Sequence, residues 1–278
     1  MNLYVSLDEL KGTGALNISG TGGDAELLRL LERASRFVDN WCSRHFYIET
    51  AVRYFGVSYS DMMRLVVDDL ISVTALAVDE DRDDSWSLDL TELTDFFLLP
   101  LNGYPKTMVE INDQSTNIGN WTKGRRTVKV TGKWGYEEFT EDTEATVGTG
   151  GWTADATSVA VDTGEGTNIR TGDVLLIESE QVHVSAVSVD TLTVSRGHNG
   201  TTAATHAQGK AISRMLAPAP IREAVIMLSS RWWKRKDSGF SSLVGNAEIG
   251  QYEVFRGMDS DLELLLKPYR RHIAMGVR

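Results

Sequence analysis

Thr127-Val-Lys-Val-Thr-Gly-Lys-Trp-Gly-Tyr136 and Pro218-Ala-Pro-Ile-Arg-Glu-Ala-Val225 read as two halves of one strand-to-helix passage, pulled apart by residues 144–213. The intervening stretch has no proline, one lysine (Lys210) and a dense crop of Thr, Val, Ser, Gly and Ala. Its apolar residues fall in short runs: Ser158–Val161, Val174–Ile177, Val182–Val187 and Thr191–Val194. Gly172-Asp173, Asp190, Gly197 and Asn199-Gly200 punctuate them as turns. Such spacing predicts a small sandwich or barrel, and about 70 residues suffice for an independent but marginal β-domain.

Outside that stretch, helical and extended patterns alternate. Leu27, Leu31, Ala34, Val38, Trp41 and His45 recur at three- and four-residue steps, which predicts a helix from an Asp24 N-cap to about His45. Arg29, Glu32, Arg33, Arg36 and Asp39 occupy its other faces. Tyr47–Val57 reads as a strand, and the β-branched run Leu65–Asp79 as short strands. Phe96–Leu99, Met108–Ile111 and Thr127–Trp134 are further strands, with a turn at Asn102-Gly-Tyr-Pro105. Pro218 and Pro220 suit the start of a helix whose stripe is Ile221, Val225, Leu228 and Trp232. Lys234, Arg235 and Lys236 fall at its C-terminal end, where the helix dipole favours cations. Gly239–Gly257 reads as a loop. Asp259 or Ser260 caps a last helix carrying Leu262, Leu265, Leu266, Tyr269 and Ile273, which Pro268 should interrupt.

The whole chain has 278 residues, 41% hydrophobic and 24% charged, enough for one large or two modest domains. Its single cysteine, Cys42, forms no internal disulfide, and the start Met1–Asp8 lacks the basic and apolar regions of a secretory signal. No window approaches the apolar length of a membrane span, so synthesis in the cytoplasm and no membrane contact are expected. The net charge is −11, shared between residues 144–213 (eight acids, three bases) and the rest. Gripping nucleic acid calls for clustered Lys and Arg, so this balance argues against a DNA-wrapping protein. It allows passive contact in which repulsion is useful.

With 144–213 set aside, the chain resembles the head–tail connector (adaptor, head completion) family of tailed bacteriophages. Three segments carry the resemblance. The first is Leu7-Asp-Glu-Leu-Lys11 followed by the helix Asp24–Phe46, in which Ala34-Ser35, Arg44 and Phe46 are similar to a family pattern. The second runs from Asp68-Asp-Leu-Ile-Ser-Val-Thr74 to Phe97-Leu-Leu-Pro-Leu-Asn-Gly-Tyr-Pro105. The third joins Val128–Tyr136 to Ala217–Arg235. Their order is the stronger signal; compact family members lack the extra stretch. Its Arg196-Gly-His-Asn-Gly-Thr-Thr202…His206…Gly209 string is similar to β-segments of other phage virion proteins.

The resemblance implies a non-enzymatic virion protein at the neck, assembled in the host cytoplasm. It would form a ring, usually of twelve copies, docked under the portal protein and extending the channel for double-stranded DNA. It would also present a platform for a stopper or tail-terminator type neck protein. Terminal segments in such families often dock on the portal; here that is the stretch after Gly239. The fold expected is α+β: a helical connector core with short strands (1–143 and 214–278) plus an inserted small all-β domain (144–213). The rival reading is a virion-associated binding module that meets a receptor or glycan through the β-domain.

No motif demands chemistry. Asp79-Glu-Asp-Arg-Asp-Asp84 starts like a calcium loop, but Asp84 and Leu90 stand where that loop needs Gly and Glu. Ser19-Gly-Thr-Gly-Gly-Asp24 shares only glycine content with a phosphate loop. His183, His198 and His206 fit no standard metal spacing, and neither a nucleophile elbow nor a base near Cys42 is evident. No catalytic, cofactor or metal residues are therefore assigned. Arg231-Trp-Trp-Lys-Arg-Lys236 is the most basic patch and interleaves aromatics with cations. The residues expected at a protomer or portal interface are Trp233, Arg235, Lys236, Phe240, Tyr252, Phe255, Tyr269 and Arg270.

Overall fold

The computed structural model describes residues 1–12, 14–57, 61–237, 243–244, 252–253 and 260–271. The chain divides into two compact units. One comprises Phe46–Glu138 with Asn199–Thr201; the other comprises Met1–His45, Phe139–His198 and Thr202–Arg271.

The first unit is built on an antiparallel sheet of β1 (Glu49–Val57), β2 (Arg64–Val78), β3 (Leu88–Leu90), β4 (Phe96–Leu99), β5 (Lys106–Ile111) and β6 (Gly124–Trp134). The strand order is β1-β6-β2-β5-β4, with β3 also on β2. The β-branched run read as several short strands is one strand of 15 residues. Register shifts between Val66 and Leu70, and again near Ser72 and Val73, bend β2, so that it pairs with β5 early, β6 later and β3 at its end. Such bulges let a long strand serve several partners. One bend is tight: a Cβ on Gly132 of β6 would lie 2.2 Å from the Ser72 carbonyl oxygen. Leu65, Val67, Leu76, Val78, Val109, Val128, Val130, Trp121 and Trp134 form its core.

The second unit holds the other sheet: β7 (Phe139–Thr146), β8 (Ser158–Ala160), β9 (Val174–Ile177), β10 (Glu180–Ser188), β11 (Thr191–Ser195) and β12 (Ala211–Leu216). The order is β7-β12-β9-β10-β11-β8, all pairs antiparallel. Val147, Trp152, Ile169, Leu175, Ile177, Val182, Val184, Leu192 and Ile212 form its core. Its first and last strands are neighbours, with Phe139 opposite Leu216.

The same unit contains α1 (Leu7–Lys11), α2 (Asp24–Cys42), α3 (Ala219–Asp237) and α4 (Ser260–Leu266). Gly23, not Asp24, occupies the N-cap of α2; the Asp24 carboxylate is held by Lys11 Nζ at 2.7 Å. The helix stops short of His45 because Ser43 turns left-handed (φ 55°). Ala34 and Ser35, which belong to the family-like pattern, are buried, as is Phe46 in the first unit. Ser35 Oγ accepts the Tyr4 N–H and donates to the Leu31 carbonyl, so the pattern fastens the N-terminal segment to α2. Pro268 falls where expected: α4 ends at Leu266 and a 3-10 turn, Lys267–Tyr269, follows. Within the stretch read as a loop, β13 (Leu243–Val244) pairs with β14 (Tyr252–Glu253).

The expected fold class is overturned. The chain is mostly β, with two antiparallel sheets of six strands each, not a helical core carrying a small β insert. Among the described residues only α2 and α3 are long helices, at 19 residues each. The error lay in treating β1–β6 as trimmings on helices. Their alternating residues bury a core of their own.

Candidate functional site

Two helices of the second unit frame a groove lined by charged and aromatic side chains. On α2, Leu27, Leu30, Leu31, Ala34 and Val38 are buried, which turns Arg29 and Arg33 outward. On α3, Ile221, Ala224, Val225 and Leu228 are buried, and the last turns carry Trp232, Trp233, Arg235 and Lys236. Glu26, Arg29 and Arg33 from α2 face these four residues across a groove of ≈ 490 Å³. Trp232 meets Phe37 edge-on at 5.7 Å. Lys236 Nζ lies 4.8 Å from the centre of the Trp233 ring and 2.7 Å from Glu26. Arg29 Nε donates to the Ala25 carbonyl at 3.2 Å. Among the described residues neither Arg29 nor Arg33 is in a salt bridge. The groove thus gathers four cations and one carboxylate against two indoles, a composition that binds carboxylates or other anions.

A second constellation lies in the sheet of the same unit. Glu180, at the start of β10, is 0% exposed. Its carboxylate accepts from Arg196 Nε and Nη2 (2.8 and 2.7 Å) and from the N–H groups of Gly197 and Ala204 (2.9 and 3.0 Å). His206 Nε2 lies 2.8 Å away on the remaining side. Burial alone would raise this carboxyl, but Arg196, the two N–H groups and His206 outweigh it and hold it at about 2. Arg196 also donates to the carbonyls of Thr153 and Ala204. His206 reaches Glu178 through Nδ1 at 3.0 Å, and its backbone bridges Trp152. Arg196, Gly197, Ala204 and His206 therefore fasten the two ends of the 196–206 connection to β10 through Glu180. A carboxylate saturated by five partners has no capacity left for a substrate.

The three histidines do not converge. His183 and His198 lie with ring centres 5.3 Å apart and planes tilted by 38°, while His206 belongs to the Glu180 cluster. Burial, helped by the N-terminal ammonium, pushes both His183 and His198 down to about 4, with their mutual repulsion adding to it for His183. Among the described residues no group of three or more His, Cys, Asp or Glu could hold a metal ion. Cys42 is buried, and burial pushes its thiol up to about 11, which leaves little thiolate. The acidic loop is a local turn: Asp79 accepts the N–H groups of Arg82, Asp83 and Asp84 at 2.8, 3.3 and 3.0 Å. The glycine-rich loop before α2 is tied down by Lys11 Nζ, which donates to the Gly20 carbonyl at 2.6 Å.

Of the expected interface residues, Trp233, Arg235 and Lys236 meet at the groove. Tyr269 ends the 3-10 turn, and Arg270 sits over the Trp41 ring at 5.5 Å. Phe240 and Phe255 lie outside the described residues, as does the side chain of Tyr252. The sequence reading placed Arg29 and Arg33 on a polar helix face without seeing their neighbours. It also missed a second aromatic–cation cluster, in the first unit: Tyr54 and Trp86 with ring centres 5.0 Å apart and Arg126 4.7 Å from the Tyr54 ring. A scan against protein-family models finds no match, and no curated protein matches the chain.

Proposed function

We propose that the chain is a structural virion protein of a tailed bacteriophage. It assembles into a ring of identical copies between portal and tail, extends the DNA channel and docks the next neck component. The reading rests on the ordered resemblance of the three segments described above. The observation that carries it is the α2–α3 groove, because those two helices belong to segments that bear the resemblance. Its Arg and Trp residues are the types enriched where proteins grip one another. Exposed arginines in no salt bridge among the described residues, Arg29 and Arg33, suit an assembly surface better than a catalytic one. The net charge of −11 suits a channel wall that repels the DNA backbone and lets it slide. Nothing favours the glycan-binding rival: Trp152, the only aromatic residue in 144–213, is 1% exposed.

The test is to purify the full chain and weigh it by native mass spectrometry, alone and with the portal protein of the same phage. The expected result is a multimer of the chain, free or mounted on the portal. A chain that neither multimerises nor binds portal overturns the proposal.

A further inference from the structure

A ring of one protein needs a heterologous interface, in which two different surfaces of the same chain complement each other. The groove supplies one such surface, with Arg29, Arg33, Arg235 and Lys236 set against a single carboxylate, Glu26, that is already engaged by Lys236. Its ≈ 490 Å³ falls within the roughly 300–1,000 Å³ of a ligand-sized cleft.

The opposite charge is concentrated at Asp79-Glu-Asp-Arg-Asp-Asp84, in the first unit. This loop is shaped before any partner arrives. The buried Asp79 carboxylate gathers three N–H groups of the turn, and Arg82 and Asp84 take left-handed φ values of 61° and 64°. The Arg82 side chain folds back near Gly124, where a Cβ would lie 3.8 Å from Arg82 Cδ. Glu80, Asp81, Asp83 and Asp84 are left exposed at the tip. The exposed carboxylates of the tip concentrate negative charge that a cationic partner neutralises. A pre-shaped loop loses little entropy on docking.

We infer that the α2–α3 groove of one copy receives the acidic loop Asp79–Asp84 of a second copy, Arg29 and Arg33 meeting the carboxylates of Glu80 and Asp81. This pairing rests on the ring reading and supplies its protomer contact.

The experiment uses two full-length charge-reversed variants. One carries Arg29→Glu and Arg33→Glu; the other carries Glu80→Lys and Asp81→Lys. All four side chains are exposed, so both variants should keep the wild-type circular dichroism spectrum. Multimer formation is followed by sedimentation velocity, alone or on portal, wherever the wild type assembles. Each variant by itself should self-associate at least about tenfold more weakly, since like charges now face each other. Mixed one to one they should assemble again, because reversed groove meets reversed loop and native groove meets native loop. Variants that each assemble like the wild type overturn the pairing and leave the ring reading standing, with a partner's acidic segment as the occupant of the groove. Loss in both variants without rescue on mixing also overturns it. A wild type that forms no multimer in either setting removes the pairing and the ring together.

Discussion

Arg196→Met keeps a long apolar stem and deletes the guanidinium that spans Glu180, Thr153 and Ala204. The replaced side chain is 6% exposed and its carboxylate partner fully buried, so the loss is felt in a dry environment. Breaking a buried ion pair from one side costs about 3–5 kcal/mol, because the surviving charge is left without its partner. Glu180 retains the N–H groups of Gly197 and Ala204 and the contact with His206, which favours the lower half of that range. The Thr153 and Ala204 carbonyls lose donors at the same time, which pulls the other way. The expected loss is therefore about 4 kcal/mol, a large share of the 5–15 kcal/mol that holds a typical domain. Because two units need not unfold together, hydrogen exchange read peptide by peptide is the better assay. Exchange at 196–198 and 202–206 should quicken by about 100-fold or more, while peptides of β1–β6 stay unchanged. The pH dependence adds a second check. Glu180 is held below its ordinary value of 4.5, so its stabilisation is complete above that pH and is lost as pH falls toward about 2. That contribution amounts to about 3 kcal/mol, and the methionine variant, which keeps the two N–H groups and His206, should lose part of it. Protection of 196–198 and 202–206 unchanged by Arg196→Met would refute the view that this network fastens the connection.

Three further outcomes are expected. Gly132→Ala places a methyl against the Ser72 carbonyl at 2.2 Å and should weaken the first unit by about 2 kcal/mol or more in urea titration, or prevent soluble expression. His183 and His198 are both depressed to about 4, so they stabilise the second unit fully above about pH 6.5 and lose that contribution as pH falls toward 4; His198→Asn should flatten this limb of the stability–pH profile. Ser35→Ala removes the acceptor of the Tyr4 N–H and should cost about 1 kcal/mol, seen as faster exchange at residues 2–6 with α2 intact.

What the sequence revealed follows from how each element signals itself. Val174–Ile177 was legible to the residue because a fully buried strand is a solid apolar run bounded by turns. β7, Phe139-Thr-Glu-Asp-Thr-Glu-Ala-Thr146, was not assigned: as an edge strand it buries little beyond Thr143 and Ala145, so it shows no apolar alternation. β2 was seen as strand but broken into pieces, because its bulges interrupt the two-residue alternation. Reading β2 as fragments hid the strand that joins β6 to β5 and β3, so the sheet of the first unit was not assembled on paper. The groove was half legible. The basic–aromatic run at the end of α3 stands out in any reading, whereas Arg29 and Arg33 look like ordinary exposed helix residues until α3 lies alongside.

The use the fold makes of its arginines separates scaffold from surface. Arg196 is spent on Glu180, Arg214 on Asp173 and Glu141, and Arg53 on Glu49 and Asp68. Each of these ties strands or their connections together, and each acid in the pair is supplied by the same unit. In a chain with 39 acidic and 28 basic residues, carboxylates are in surplus. Arg29 and Arg33, in no salt bridge among the described residues, differ from those three in lying one helical turn apart on α2 and opposite the indoles of α3. Folding alone gives no reason to keep them there, since an exposed helix face tolerates Glu or Gln equally well. Their place is explained once an acidic partner is brought to them, and the chain's own surplus of acid makes a second copy a sufficient source.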